Sequence, residues 1–249
     1  MISKADCIIQ ARLNSSRLPN KVLLTLNGKS VLDYVINQLK FCKLINKIVI
    51  ATTNLKEDDQ IENFAKKNNI DFFRGDSNDV LDRFFQCAKK NAFKKIVRIT
   101  ADNPLIDPTI VDNVIQKFMT NQYDYVSNHI PRTFPQGTEV EVFSFKSLEF
   151  AWMKSKKYSE REHVTPYFYN NPNLFKIGSV SYDEDISYLR WTVDKYPDFE
   201  LVKAIVSKIK KRPILMQDIL ELFYKDKNLF DINKDHILDE GYKKSLKKD

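Results

Sequence analysis

Arg12, Ser15, Ser16, Arg17 and Lys21 fall in one short polar loop directly after the apolar run 5–11, and Pro19-Asn20 breaks regular structure just before the lysine. Guanidinium groups take phosphate oxygens in pairs, and an ammonium adds a compact point charge. A loop of this kind can hold a polyanion at the end of a strand; it can equally be a solvated basic loop after a core strand. A carboxylate stands at the end of a later apolar run, in Arg98-Ile99-Thr100-Ala101-Asp102-Asn103-Pro104. An exposed aspartate there suits Mg²⁺, a hard cation that takes one or two carboxylates and fills its octahedron with phosphate oxygens and water. The alternative is an Asx turn at a strand end. Asp107 reads as the cap of a following helix.

Three further polar clusters stand out. Arg74-Gly75-Asp76-Ser77-Asn78-Asp79-Val80-Leu81-Asp82-Arg83 leads into a helix, with Asp79 able to cap it and Arg83 able to sit in solvent. The chain has only five glycines, so Gly75 marks a backbone constraint. Gln136-Gly137-Thr138-Glu139-Val140-Glu141 and Glu160-Arg161-Glu162-His163-Val164-Thr165-Pro166 lie beside apolar segments and suit the gripping of a sugar or acid. His163 is one of three histidines; a lone histidine is commonly structural, and His129 and His236 carry no local signal. No G-x-G-x-x-G or G-x-x-x-x-G-K-[ST] pattern occurs, so neither a dinucleotide fingerprint nor a P-loop is indicated.

These groups need elements to hold them, and apolar periodicity supplies a set. Strands are expected at 5–11, 47–52, 71–74 and 95–100, alternating with helices at 31–39 (capped by Ser30), 58–68 and 80–91. Such alternation predicts an α/β fold with a mainly parallel central sheet flanked by helices. Ligands then bind at the carboxyl ends of the strands, which sets the loops 12–21, 74–79 and 101–103 on one rim. The second half is less regular. Strands are expected at 123–127, 139–143, 175–181 and 189–193, and helices at 144–154, 159–169, 197–210 and 216–224. No linker or repeat separates these pieces, so we expect a single domain over 1–249, with a first half at 1–122, an inserted substrate-binding portion at 123–195, and C-terminal helices and tail at 196–249.

Composition narrows the classes. At 249 residues and 43% hydrophobic content the chain can bury a full core. Cys7, Cys42 and Cys87 follow no metal spacing and argue against a disulfide framework, so they are expected as reduced core residues of a cytoplasmic protein. No stretch approaches the ~18 apolar residues of a membrane span. A formal charge of +7 invites nucleic acid, but the lysines spread over helix faces and a polar tail without a compact basic, aromatic-interleaved patch. We therefore expect no nucleic acid and no membrane partner; a homodimer is compatible with the sequence.

Ala11-Arg12, Ser16, Arg17-Leu18-Pro19 and Lys21 together resemble the signature of the cytidylyltransferase family of sugar nucleotidyltransferases, in the branch of spore-coat polysaccharide biosynthesis enzymes, with CMP-sugar-acid synthetases as more distant relatives. The likeness extends through Gly75 with Asp79-Val80-Leu81 and Arg83, Asp102-Asn103-Pro104-Leu105-Ile106, Gln136 to Glu141, Glu162-His163-Val164-Thr165-Pro166, and Val193-Asp194 with Pro197-Asp198. It implies a Rossmann-like, GT-A-like nucleotidyltransferase fold, with 1–122 as the nucleotide-binding half and 123–195 as the acceptor-binding portion. Ala11, Arg12, Leu13, Ser16, Arg17, Lys21, Arg74, Gly75, Asp79, Val80, Arg83, Thr100, Ala101 and Asp102 would surround the nucleotide, with Arg12, Lys21 and Asp102 as catalytic groups. Asp102 and Asp194 would hold Mg²⁺, and Gln136, Gly137, Glu139, Glu141, His163 and Arg190 would meet the acceptor. Lys195-Tyr196 departs from the small-residue break usual after that aspartate. The implied reaction joins CTP to a sugar acid, a sugar or alditol phosphate or a related acceptor, for cell-surface glycan synthesis, and releases pyrophosphate. A GT-A-type glycosyltransferase would share the strand-end aspartate but has no need of the Arg-Leu-Pro-x-Lys loop. A non-catalytic basic binding protein is the remaining rival, recognisable by steeply salt-dependent polynucleotide binding.

Overall fold

The computed structural model describes residues 3–120 and 122–249. The chain begins with β1 (Ala5–Gln10), passes a small hairpin of β2 (Thr25–Leu26) and β3 (Lys29–Ser30), and enters α1 (Val31–Leu39). Then come β4 (Ile45–Thr53), α2 (Asp59–Lys67), β5 (Asp71–Gly75), α3 (Val80–Lys90), β6 (Lys95–Thr100) and α4 (Pro108–Thr120). The second half adds β7 (Tyr125–Ser127), β8 (Glu141–Ser144), α5 (Phe145–Lys154), α6 (Tyr158–His163), α7 (Pro166–Tyr169) and β9 (Ile177–Ser179). It ends with α8 (Tyr196–Lys208), α9 (Met216–Lys225), α10 (Asn228–Asp231) and α11 (Glu240–Leu246).

Seven strands form one sheet in the order β5-β4-β1-β6-β8-β7-β9. β5, β4, β1 and β6 are mutually parallel, β8 runs antiparallel between β6 and β7, and β9 pairs parallel with β7. This is the mainly parallel α/β sheet that the alternation predicts. The strand order reverses at β1, with β4 on one side and β6 on the other, so the loops leaving their carboxyl ends diverge and open a crevice.

Burial shows why β1 is central. Cys7, Ile8 and Ile9 are all fully buried, as expected of a strand covered on both faces. Successive side chains alternate across the sheet. Cys7 and Ile9 pack with Val31, Val35 and Val111 of α1 and α4, whereas Ile8 packs with Val80, Phe84 and Leu148 of α3 and α5. α1 starts in a capping box, in which Ser30 Oγ accepts from the Asp33 N–H at 3.0 Å and Asp33 accepts from the Ser30 N–H at 2.8 Å.

Several sequence expectations change. The stretch 189–193 is not a strand; it touches Gln136 through one isolated bridge, with Trp191 N–H donating to Gln136 O at 2.8 Å. The helix expected at 159–169 divides at Val164, whose φ is 71°, and Pro166, which has no N–H with which to continue the ladder of α6, opens α7 instead. β8 starts two residues later than the alternating pattern suggests, and α10 and α11 carry too little apolar periodicity to be foreseen. Asp107 does serve the helix after it, accepting from Thr109 N–H at 2.7 Å, and it also accepts from Met216 N–H at the start of α9 at 2.7 Å. All three cysteines are free, with Cys7 and Cys87 buried. Among the described residues, no helix is long and apolar enough to cross a membrane.

Candidate active site

At the crevice between β1 and β6, one ammonium group joins two carboxylates that are distant in sequence. Lys21 Nζ donates to Asp102 Oδ2 at 2.5 Å and to Asp194 Oδ1 at 2.7 Å. Arg17 Nη2 donates to the same Asp194 oxygen at 2.6 Å. The backbone brings the two aspartates together, because Val193 N–H donates to Asp102 O at 2.8 Å. The opening loop is pinned from below: Leu13 N–H donates to the buried Asp58 carboxylate at 2.8 Å, and Asn20 N–H to Leu13 O at 3.0 Å. Asn20 then takes a left-handed turn (φ 56°) that swings Lys21 into the crevice. Ala11 and Leu13 are buried and act as framework beneath the loop.

Arg190 holds the far side of Asp194. Its guanidinium is only 8% exposed and uses its whole fork. Nη2 donates to Asp194 Oδ2 at 2.9 Å, Nε to Asp198 Oδ1 at 3.0 Å, and Nη1 to Gln136 Oε1 at 2.6 Å. Burial alone would raise the Asp194 pKa, but Lys21, Arg17 and Arg190 outweigh it and hold this carboxyl far below the usual range. Burial likewise works to lower the Lys21 pKa, and Asp102 and Asp194 reverse that into a net rise. Asp194 and Lys21 are thus each held in the charged form.

Two cavities meet here. The smaller, about 310 Å³, lies between the opening loop and α11, and the larger, about 680 Å³, lies between β6, β8 and the C-terminal segment. Arg17, Thr100, Asp102, His163 and Gly241 line both, so Asp102 stands at their junction. In the smaller cavity five cationic side chains (Arg12, Arg17, Lys21, Lys244 and Lys248) face two carboxylates, Asp102 and Glu162. In the larger, five cationic side chains face six carboxylates. The first therefore suits a polyanion, and the second a ligand with little net charge.

All three histidines of the chain line the larger cavity. Its floor is the buried pair Arg98–Glu141, which sit opposite each other in the register of β6 and β8, with the Tyr125 hydroxyl donating to Glu141 at 2.7 Å. Burial lowers the His129 pKa against the opposing pull of Glu141. His163 drops from an ordinary 6.5 to about 4; burial leads, Glu162 and Glu141 oppose it, and Arg98 and Arg12 assist. Its Nε2 lies 2.9 Å from the Ser245 hydroxyl of α11. A depressed histidine pKa means that the unfolded chain binds the extra proton first. Stability should therefore be complete above pH 6.5 and fall as the pH drops from 6.5 towards 4. Urea unfolding across that range should show the loss, and His163→Gln should flatten it. An unchanged pH slope in the variant would assign the loss to other groups.

The structure brings together Arg12, Ser16, Arg17, Lys21, Thr100, Ala101, Asp102, Gln136, Glu139, Glu141, His163, Arg190 and Asp194 on the two cavities. It does not bring eight others there: Ala11 and Leu13 lie beneath the loop, and Arg74, Gly75, Asp79, Val80, Arg83 and Gly137 are placed elsewhere. Arg74 is engaged with Asp59 and Glu62 at 2.5 and 2.7 Å on the β5 side of the sheet. Gly75 lies against Phe73 and Arg83, Asp79 caps α3 and pairs with Arg161, and Val80 is in the core. Arg83 has no exposed surface and donates to Asp76 O at 2.7 Å, so it braces the turn before α3. Gly137 lies beneath the cavity wall: with φ 104°, a Cβ there would come within 2.6 Å of Thr192 N. Arg190 touches the larger cavity, yet its donors are spent on Asp194, Asp198 and Gln136, which makes it a positioning residue for Asp194.

Sequence reasoning missed Arg98, Arg132, His129, His236, Lys244 and Lys248 as cavity residues. Arg98 alone had a readable signal, a charge facing an alternating acidic strand. His236 reaches Gln136 Nε2 at 2.8 Å only because the C-terminal segment folds back.

The model of the cytidylyltransferase family matches residues 7–237. An uncharacterised protein of Methanocaldococcus jannaschii is 39% identical over 231 residues, covering 91% of this chain and 93% of its own. The spore coat polysaccharide biosynthesis protein SpsF of Bacillus subtilis is 33% identical over 215 residues, covering 83% and 88%. The solved structure of a cytidylyltransferase from Leptospira borgpetersenii serovar Hardjo-bovis superposes with a TM-score of 0.88 at 33% identity, covering 95% of this chain and 99% of that one.

Proposed function

The chain belongs to the cytidylyltransferase family and is a nucleotidyltransferase, and from that premise we propose that it joins the cytidylyl group of CTP to a polyhydroxylated, sugar-like acceptor, releasing pyrophosphate for surface-glycan synthesis. One observation carries this reading. The cationic loop and the Asp102–Asp194 pair converge at the junction of a polyanion-suited cavity and a polar cavity with little net charge.

In the reaction an acceptor oxygen forms a bond to the α-phosphorus while the bond from that phosphorus to the bridging oxygen breaks, and pyrophosphate leaves with that electron pair. Arg12, Arg17 and Lys21 bind the β- and γ-phosphates and neutralise the charge that grows on them as they depart. Thr100 and Ala101 shape the side of the nucleotide cavity, and the loop hydroxyl of Ser16 can donate to a phosphate oxygen. Positioning supplies much of the rate, since both reactants are held with the reacting atoms side by side.

The residues fit a divalent cation. Two carboxylate oxygens converge within 2.5 and 2.7 Å of one ammonium nitrogen, a spacing that lets them share a cation. Mg²⁺ takes only one or two protein carboxylates and relies on substrate phosphates for its remaining ligands, which a pair of this kind can satisfy. Asp102 and Asp194 would hold it, and when bound it would supply Lewis-acid polarisation of the phosphate oxygens.

The larger cavity supports the acceptor assignment. His129 and His163 are kept neutral, so their ring nitrogens can donate to and accept from hydroxyls, and Glu139 and Glu141 add acceptors. A crossed kinetic test reads both cavities at once. Arg12→Ala should weaken apparent CTP affinity by about 10–100-fold, the worth of one charge-assisted contact, with little change for the acceptor. His129→Ala should do the reverse. Pyrophosphate release with CTP and a panel of sugar acids, sugar phosphates and alditol phosphates is the measurement. If a nucleotide sugar were consumed instead, with free nucleotide as product, the glycosyltransferase reading would replace this one.

A further inference from the structure

We propose that Lys21 is a resident counter-cation that competes for the divalent-metal position until a polyphosphate draws it away, so that metal binds only weakly ahead of the nucleotide. This rests on the reading of Asp102 and Asp194 as the metal-holding pair. The ammonium bridges one oxygen of each aspartate at 2.5 and 2.7 Å, and Lys21 is only 8% exposed. Mg²⁺ bonded to those same two oxygens would sit about 2.1 Å from each. Ammonium and metal therefore compete for one place.

The two aspartates depend on Lys21 unequally. Asp194 keeps Arg17 at 2.6 Å and Arg190 at 2.9 Å when Lys21 departs. For Asp102, Lys21 is the one ion-pair partner among the described residues. Removing the ammonium without a replacement leaves the Asp102 carboxylate uncompensated beside a second carboxylate, which is why the free protein holds it in place. A lysine can leave as an arginine fork cannot: its ammonium is a point charge on a flexible four-carbon stem. Lys21 also has somewhere to go. It already lines the smaller cavity, where cationic groups outnumber carboxylates and a triphosphate would supply new partners. One swing of this side chain would thus exchange carboxylate for phosphate and vacate the position that a metal arriving with the nucleotide takes up.

The test needs no turnover. Manganese binding to nucleotide-free protein is followed by the electron paramagnetic resonance signal of free Mn²⁺, for the wild type and for Lys21→Met. The variant should bind Mn²⁺ at least about 10-fold more tightly, because a competing positive charge has been removed, and adding Asp102→Asn should abolish the gain. Equal or weaker binding in Lys21→Met overturns the proposal, as does a gain that survives Asp102→Asn. A wild-type measurement stands beside these in case Lys21→Met does not fold. Acetylation of Lys21, mapped by mass spectrometry, should rise as Mn²⁺ is increased through its dissociation range without nucleotide; constant labelling overturns the proposal. Calorimetric titration of CTP into the wild type reads the proposed function separately. Failure to bind CTP would remove that function, while the manganese results would still decide the role of Lys21.

Discussion

Asp102→Asn and Asp194→Asn are each expected to lower pyrophosphate release by on the order of 10³-fold, and the double variant to be barely slower than either. The expectation follows from geometry: both carboxylates approach one point, now marked by the Lys21 ammonium, and residues that act as a unit lose their function once rather than twice. Asn keeps the size of the side chain and one acceptor oxygen, so the fold should survive. Asp107→Asn serves as the control. That carboxylate caps α4 and holds the start of α9 on the other side of the loop, and its replacement should cost stability rather than turnover. Rates are measured as pyrophosphate release against Mg²⁺ concentration. Losses that multiply in the double variant would show that the two aspartates serve separate ions or separate steps.

Arg190→Met is expected to destabilise the fold by about 3–5 kcal/mol, the cost of breaking a buried ion pair by removing one partner. Asp198 is 2% exposed and would keep only Asn233 Nδ2 at 2.8 Å and the backbone N–H groups of Asp194 and Lys195. Asp194 would lose the donor that fixes its second oxygen. Methionine restores the apolar stem but none of the fork. Denaturant unfolding gives the stability change, and kinetics at a temperature where the variant remains folded should show lowered turnover at nearly unchanged CTP affinity. A loss below about 1 kcal/mol, the worth of an exposed pair, would mean that the network around Arg190 is dispensable.

The C-terminal segment ties these observations together. Asn233 holds Asp198, His236 holds Gln136, and Ser245 donates to Glu162 at 2.9 Å while lying against His163. Asp249 caps α6 through Ser159 N–H and Oγ, both at 2.7 Å. The roof of both cavities is therefore fastened to the groups that orient Asp194 and to the helix that carries His163.

The sequence by itself determined the parallel half of the sheet, because buried strands and amphipathic helices write their periods locally: the run 5–11 reads as a strand, and Ser30 reads as the cap of the helix at 31–39, as the structure has them. It also determined the chemistry at the rim, since Arg12, Arg17 and Lys21 follow β1 directly and Asp102 follows β6, and a parallel sheet delivers both loops to one edge. What only tertiary structure decided are the pairings across the chain. The stretch 189–193 looks like a strand by composition, but Gly137 lets the backbone at Trp191 and Thr192 approach so closely that it docks as a loop and carries Asp194 to Asp102. Arg190 and Arg83 look like ligand-binding cations in one dimension; burial makes Arg190 a brace that spends all three nitrogens on protein groups, and it leaves Arg83 holding the turn before α3 through Nη1 on Asp76 O. The gathering of His129, His163 and His236 in one cavity was invisible for the same reason: three residues on a loop, a short helix and a folded-back tail share no local pattern, and only the closure of the chain makes them neighbours.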